Sequence, residues 1–261
     1  MPVRDPDPAF FLAAIQSVLD QTWKELELIL IETPGRRPLA GDLTPIEDPR
    51  VRHLVAPAGI TTAMARNLGM REARGDLLAM LDADDLCRPD RLQKQHDHLR
   101  AHPQIDVLGT QIQIIDERDQ VRGRRVYPLE HEKIFDTMRL YNPLAQPSVM
   151  MRKQVILDHG GYDERPDCIC EDYDLWSRLA RKGVCFANLD EDLTLYRVHS
   201  SATKHARLRE SLEDTIRIKK AYWSDRFDLR ARARLLAERV LLHLPRPIVL
   251  ALFKRLYVKG S

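Results

Sequence analysis

FLAAIQSVLDQTWKELELILIE, residues Phe11 to Glu32, sets the frame of the chain. Phe11, Ile15, Val18 and Leu19 return at helical spacing behind Pro8, a good first-turn residue, and predict an amphipathic helix over Ala9–Thr22. Leu26, Leu28, Ile29, Leu30 and Ile31 then make a β-branched and leucine run of the length of a strand buried in a parallel sheet. It stops at Glu32, Thr33, Pro34 and Gly35. Further along, the pattern predicts a short strand at Val51–Val55 and a helix over about Thr61–Ala73 with Met64, Ala65 and Leu68 on one side. An apolar strand, Asp76–Leu81, follows and ends in Asp82, Ala83, Asp84 and Asp85. Helix, strand, strand, helix, strand with short connections predicts an α/β fold on a mostly parallel sheet flanked by helices. Ligands of such sheets bind outside the carboxyl ends of the strands, where Glu32 and the Asp82–Asp85 cluster fall.

Downstream, helices are expected at Arg91–Ala101, Lys133–Tyr141 and Asp172–Lys182, and strands at Val107–Ile115, Ser148–Arg152 and Leu193–Val198. Leu208 to Val258 reads as helical, broken by Pro245 and Pro247. With 261 residues, 44% hydrophobic and 31% charged, the composition is that of a globular chain of enzyme size, which excludes disorder, fibres and stapled mini-proteins. Cys87, Cys168, Cys170 and Cys185 are too few and too irregularly spaced for a disulfide framework or a zinc ribbon, so a reducing cytoplasmic compartment is expected. No signal peptide and no transmembrane span is read. The net charge of +2 hides an asymmetry: from Thr203 to Ser261 there are 15 Lys and Arg against 6 Asp and Glu, a net of +9, which leaves −7 for the rest. An acidic body argues against nucleic acid, whereas a basic, Leu-rich tail suits an anionic membrane surface or a partner.

Asp82 and Asp84 stand at alternate positions where the chain leaves a strand, a pattern that can hold a hard divalent cation and leave sites open for phosphate. The competing reading is an acidic turn, with Asp85 capping a short helix before Pro89. Glu171 and Asp172 begin the segment EDYDLWSRLARKG, in which Leu175, Trp176 and Leu179 follow at helical spacing. A carboxylate there serves either as a helix N-cap or as a general base aimed into a cleft. His199 ends a strand and can be a metal ligand, a phosphate contact or simply solvated. Arg66 and Asn67 open a helix after a Gly and Thr loop, where the arginine can face a diphosphate or make a surface ion pair. Cys168 and Cys170 have no partners at ligand spacing, and neither a Walker loop nor a strand-bound GxGxxG is present.

FLAAIQSVLDQTWKELELILIE, ARNLGMREARGDLLAMLDADDLCRPDRLQKQ, NPLAQPSVMMRK, GGYDE, EDYDLWSRLARKG and LYRVHSSATK, in that order, resemble the family 2 glycosyltransferases of bacterial polysaccharide and O-antigen synthesis. The resemblance covers Met1 to Lys204 and implies the GT-A fold, with residues 205–261 left as a basic amphipathic helical tail. It implies an inverting, metal-dependent transfer of a sugar from a nucleoside-diphosphate sugar to a glycan or lipid-linked acceptor by single displacement. Asp82 and Asp84 would be the DxD pair, with Asp84 on an Mg2+ or Mn2+ ion and Asp82 nearer the ribose. Asp172 would be the general base, and His199 would help hold metal or diphosphate. Pro2, Val3, Arg4 and Glu32 would contact the nucleoside, and Arg66 the base and diphosphate. A metal clamp suits this chemistry because negative charge develops on the departing diphosphate.

The chain departs from the family pattern at three places. It begins where the first apolar strand should end, so either the true start lies upstream or the sheet lacks a strand. Glu32, Thr33, Pro34 and Gly35 replace VDDGS, which removes an acid that often contacts a pyrimidine. Gln146 stands where a histidine is common. The rival readings are a sugar nucleotidyltransferase, for which PVRDPDP has no glycine, a DxD phosphatase, and a degenerate sugar-nucleotide binder or scaffold. In the tail, Leu235, Leu236, Val240, Leu241 and Leu244 are expected to pack, and Ile248 to Val258 to lie peripherally on the inner face of the plasma membrane.

Overall fold

Asp7 starts the first helix, α1 (Pro8–Leu19): its carboxylate accepts the amides of Ala9 and Phe10, and Pro8, which has no amide to satisfy, takes the first turn. The computed structural model describes residues 1–36, 38, 39, 41, 46–199, 207–244 and 249. α1 buries Phe11, Ile15, Val18 and Leu19 against Val3, Leu28 and Leu30 of a parallel sheet. That sheet is β1 (Pro2–Val3), β2 (Leu28–Glu32) and β3 (Val51–Val55), in that spatial order, with Val3 and Val55 both opposite Glu32. All of β2 is buried, because α2 (Thr62–Glu72) covers the face away from α1, packing Ala65 and Leu68 on Ile29 and Ile31. This double cover explains why β2 reads as an unbroken apolar run. The strand missing from the sequence pattern is represented by the two residues of β1, extended by Ile31 N donating to Met1 O and Thr33 N to Val3 O, each at 2.9 Å.

A second, mixed sheet contains β4 (Leu77–Ala79), β5 (Leu86–Cys87), β6 (Val107–Ile115), β7 (Val121–Arg125), β8 (Met150–Arg152) and β9 (Phe186–Arg197). Its order is β4-β8-β6-β9-β5, with β7 on β6, and among the described residues only β6 and β9 of this sheet run parallel. The expected α/β class with a parallel sheet flanked by helices is thus present. β9 begins at Phe186 rather than Leu193: Asp190, Glu191 and Asp192 break the apolar pattern, and the register slips beside them at Thr110 and Gln111. Among the flanking helices are α3 (Arg91–Ala101), α4 (His131–Met138), α5 (Lys153–Asp158) and α6 (Glu171–Arg181). Leu175, Trp176 and Leu179 of α6 fill the main core with Met138, Met151 and Phe186.

The C-terminal helices are α7 (Leu208–Trp223) and α8 (Leu229–His243). Ile218 and Trp223 of α7 enter the main core. The packing expected of the whole Leu235–Leu244 stripe is only partly realised, because the stripe spans more of the helix surface than α7 can cover. Leu235, Leu241 and Leu242 pack with Leu212 and Ile216, while Leu236 and Val240 stay exposed. Of the Ile248–Val258 segment, all but Val249 lies outside the described residues. Among the described residues no helix is long and apolar enough to cross a membrane.

Candidate active site

The loop from Met80 to Asp85 joins β4 to β5, the two end strands of the second sheet's order, and two buried arginines hold its ends. Arg91, at the start of α3, donates to Met80 O at 2.8 Å and is itself fixed by Gln95. Arg197, the last residue of β9, donates to Asp84 O at 2.8 Å and to Asp116 O at 3.1 Å, pairs with Asp119, and lies 4.2 Å over the Phe10 ring. The Arg197 amide in turn donates to Asp85 at 2.7 Å. Asp85 therefore ties this loop to β9 and caps no helix. So held, the loop leaves the Asp82 and Asp84 carboxylates partly exposed, at 31% and 38%.

His199 lies two residues beyond β9, and its Nε2 is 2.9 Å from Asp84 Oδ2. The Phe10 ring, 5.7 Å away, packs beside it. Asp84 and His199 thus offer a carboxylate and an imidazole in contact, with the Asp82 carboxylate on the same loop, donor types that a divalent cation accepts.

Arg66 sits in the second turn of α2, not at its start, where Thr61 caps the helix. The helix carries it inward: its guanidinium donates to Asp82 at 3.0 Å and to Glu171, and lies 5.6 Å over the Tyr162 ring. It makes no surface ion pair, since its side chain is only 6% exposed. Burial works against the charge, but Asp82, Glu171, Tyr162 and Asp172 more than offset it and hold the guanidinium above its ordinary pKa. Among the described residues its Nε has no hydrogen-bond partner. Tyr162 is pushed up by burial and accepts from Gln146 Nε2 at 2.6 Å, so Gln146 reaches the same cluster.

Glu171 and Asp172 stand in the first turn of α6, whose N-cap is Cys170, so the capping reading of Asp172 is not the one observed. Asp172 Oδ2 accepts from Asn142 Nδ2 at 3.0 Å and Oδ1 from the Tyr173 amide at 2.8 Å. Free amides of the helix end and its dipole favour a carboxylate there.

The residues expected near a nucleoside divide. Val3 is core, Pro2 is half-buried and Arg4 is exposed. Glu32 is buried with both oxygens engaged, by the Leu39 amide at 3.1 Å and His53 at 2.7 Å. A Cβ at Gly35 would come within 2.4 Å of the Asp5 carboxylate and would have to displace it, and Asp5 itself has a positive φ of 44°. Asp82, Asp84, Arg66, Asp172 and His199 thus share one end of the fold. Arg91, Arg197, Asn142 and Tyr162 were not singled out from sequence. Each lies inside one of the quoted segments, Arg91 in PDRLQKQ, Asn142 at the start of NPLAQ, Tyr162 in GGYDE and Arg197 in LYRVH, and that was their signal.

The family model of glycosyl transferase family 2 matches residues 1–161. The O-antigen biosynthesis glycosyltransferase WbnJ of Escherichia coli is 32% identical over 200 residues, which cover 75% of this chain and 77% of that protein. Mannosyltransferase PcManGT from Pyrobaculum calidifontis, solved with GDP-Man and Mn2+, superposes with a TM-score of 0.65 at 14% identity, over 100% of this chain and 74% of that one. The S. aureus TarS fragment in complex with UDP-GlcNAc gives 0.61 at 14% identity, over 93% of this chain and 71% of that one.

Proposed function

The chain belongs to glycosyltransferase family 2, and on that premise we propose that it transfers a sugar from a nucleoside-diphosphate sugar to a glycan or lipid-linked acceptor, by an inverting single displacement that depends on Mn2+ or Mg2+. The observation that carries this reading is the charge gathered at one place. Asp82, Glu171 and Asp172 surround the buried Arg66, and Asp84 lies on the same loop as Asp82. Four carboxylates against one guanidinium repel a diphosphate unless a divalent cation comes with it.

Asp82, Asp84 and His199 are the residues that would hold the ion. When bound, it supplies positive charge against the developing charge of the departing diphosphate. Asp84 is the principal ligand, and Asp82 reaches toward the ribose while keeping its bond to Arg66. Asp172 takes the proton of the acceptor hydroxyl as that oxygen attacks the anomeric carbon from the face opposite the leaving group. Asn142 at Oδ2 and the Tyr173 amide at Oδ1 hold the Asp172 carboxylate in one orientation, and a carboxylate so held keeps further lone pairs for the acceptor hydroxyl. Glu32 shapes the nucleoside end through His53 and the Leu39 amide. The relationship to an O-antigen enzyme supports a place in polysaccharide synthesis. The basic tail supports peripheral contact with the cytoplasmic face of a membrane, where a lipid-linked acceptor would sit.

A screen of UDP- and GDP-sugars for Mn2+-dependent hydrolysis identifies the donor without knowledge of the acceptor. With the donor in hand, Asp172→Asn is expected to abolish transfer and leave nucleotide affinity within about threefold, because the amide keeps the shape but cannot accept the proton. Transfer at the wild-type rate removes Asp172 from the mechanism.

A further inference from the structure

α8 has two faces with different fates. Ala231, Leu235 and Glu238 point inward, and the inward face is fixed by more than packing: Lys219 of α7, 1% exposed, donates to both Glu238 oxygens at 2.6 and 2.7 Å. Rotating α8 about its axis would strip Lys219 of its partner inside the protein, at a prohibitive cost. The outward face is therefore as determined as the inward one. It carries Leu229, Leu236 and Val240, exposed at 85%, 62% and 52%. At 3.6 residues per turn these three fall within about 40° of one another. Ala233 completes the strip, and Arg232 and Arg239 flank it on one side with Arg230 on the other. Of the carboxylates that precede the helix, Asp225 is paired with Arg181 and Asp228 with Arg139, Asp228 also lying in the field of Arg230.

We propose that this face of α8 docks on an anionic lipid surface, with Leu229, Leu236 and Val240 in the acyl boundary and Arg230, Arg232 and Arg239 among the headgroups. The proposal gives the peripheral membrane contact suggested above a specific site and a fixed orientation. An apolar strip edged by arginine on both sides fits a bilayer interface, because long basic side chains reach up to phosphate while their stems stay in the apolar layer. The charge is complementary over the whole segment, which carries a net of +9 from Thr203 to Ser261. Helix length sets the mode of contact: 15 residues are too few to span, so α8 lies in the interface plane.

The test is co-sedimentation of the full chain with vesicles of phosphatidylcholine alone and of phosphatidylcholine mixed with phosphatidylglycerol, without donor or acceptor. Wild type is expected to bind the mixed vesicles at low salt, to leave them at high salt and to ignore phosphatidylcholine. Leu236→Glu/Val240→Glu places charge on the buried side of the contact and should lower partitioning at least tenfold. Arg232→Gln/Arg239→Gln should lower it about thirtyfold, at roughly fivefold per basic residue. All four positions are exposed, so the melting temperature and UDP–Mn2+ affinity should stay at wild-type values in both variants. Absence of vesicle binding overturns the proposal. So does wild-type binding by both variants, which would move the contact elsewhere on the chain. A wild-type dimer in sedimentation velocity that Leu236→Glu/Val240→Glu makes monomeric, with vesicle binding unchanged, would assign the face to a second copy. Glycosyl transfer is read by the donor screen, so either reading can fail alone.

Discussion

Arg197→Gln tests whether the loop that carries Asp82 and Asp84 is held from behind. The substitution removes the Nε bond to Asp84 O at 2.8 Å and the Nη1 bond to Asp116 O at 3.1 Å, both made by a side chain 1% exposed. Bonds from a charged donor contribute about 1.5–3 kcal/mol each. The pair with Asp119 adds little, because that carboxylate is 63% exposed, and the contact with the Phe10 ring adds about 0.5–2 kcal/mol. Glutamine can satisfy one of the two carbonyls and no longer buries a charge, so the net cost is set at about 3 kcal/mol. For a chain of this size that corresponds to a fall of about 6–10 °C in melting temperature, read by circular dichroism. The functional consequence is separate: once the Asp84 carbonyl is released, its carboxylate is no longer pre-placed, and Mn2+-dependent UDP affinity measured by calorimetry should fall about tenfold. Arg197→Lys, which keeps the charge but can reach only one carbonyl well, should fall between. A variant that melts as expected but binds UDP with wild-type Mn2+ dependence would falsify the positioning role and leave Arg197 a purely structural residue.

Asp84→Ala should remove Mn2+-dependent affinity for UDP, with Asp82→Ala weaker in the same direction, since Asp82 is also engaged by Arg66; unchanged Mn2+ dependence in the Asp84 variant would restore the acidic-turn reading. Lys219→Met should cost about 3–5 kcal/mol by leaving Glu238 buried without its main partner, whereas Lys219→Met/Glu238→Leu should return to within about 1–2 kcal/mol of wild type, as urea unfolding will measure. Burial and then the Asp172 charge push the Cys170 thiol up to about 11, so its thiolate fraction at pH 8 is about 0.1% and iodoacetamide should label it slowly. Asp172→Asn should speed that labelling, and an unchanged rate would separate Cys170 electrostatically from the site.

The elements were legible because the main amphipathic helices and buried strands carry their periodicity openly: β3, α3 and β6 begin and end at the predicted residues. The acidic residues of the site were legible for a related reason. Glu32 ends β2, Asp82 and Asp84 lie between β4 and β5, and Asp172 is in the first turn of α6. At each boundary the polar residue interrupts an apolar pattern and stands out. Arg66 interrupts nothing, because it replaces one apolar position in the middle of a helix, so its place behind the Gly and Thr loop left a diphosphate contact and a surface ion pair equally open. The split of the α8 stripe was illegible for the opposite reason. Periodicity reports that leucines share a helix, but the buried Lys219–Glu238 pair decides which of them face inward.

The residues that the sequence hid have a common physical origin. The chain between β4 and β5 is irregular, so its carbonyls lack ladder partners, and buried carbonyls must find donors elsewhere. Arg91 supplies one at Met80, and Arg197 supplies one at Asp84. Gln95 then satisfies Leu108 O and Ser148 O, each at 2.9 Å, so α3 serves the neighbouring strands as well. These donors come from distant parts of the chain, and no local pattern announces them. Long arginines are suited to the task because one guanidinium reaches several acceptors at fixed angles. The carboxylates that point out of the loop can then remain partly exposed, since the backbone beneath them is already satisfied. A loop held in this way keeps Asp82 and Asp84 at set positions, which is the condition under which the proposed ion would bind without a large ordering cost.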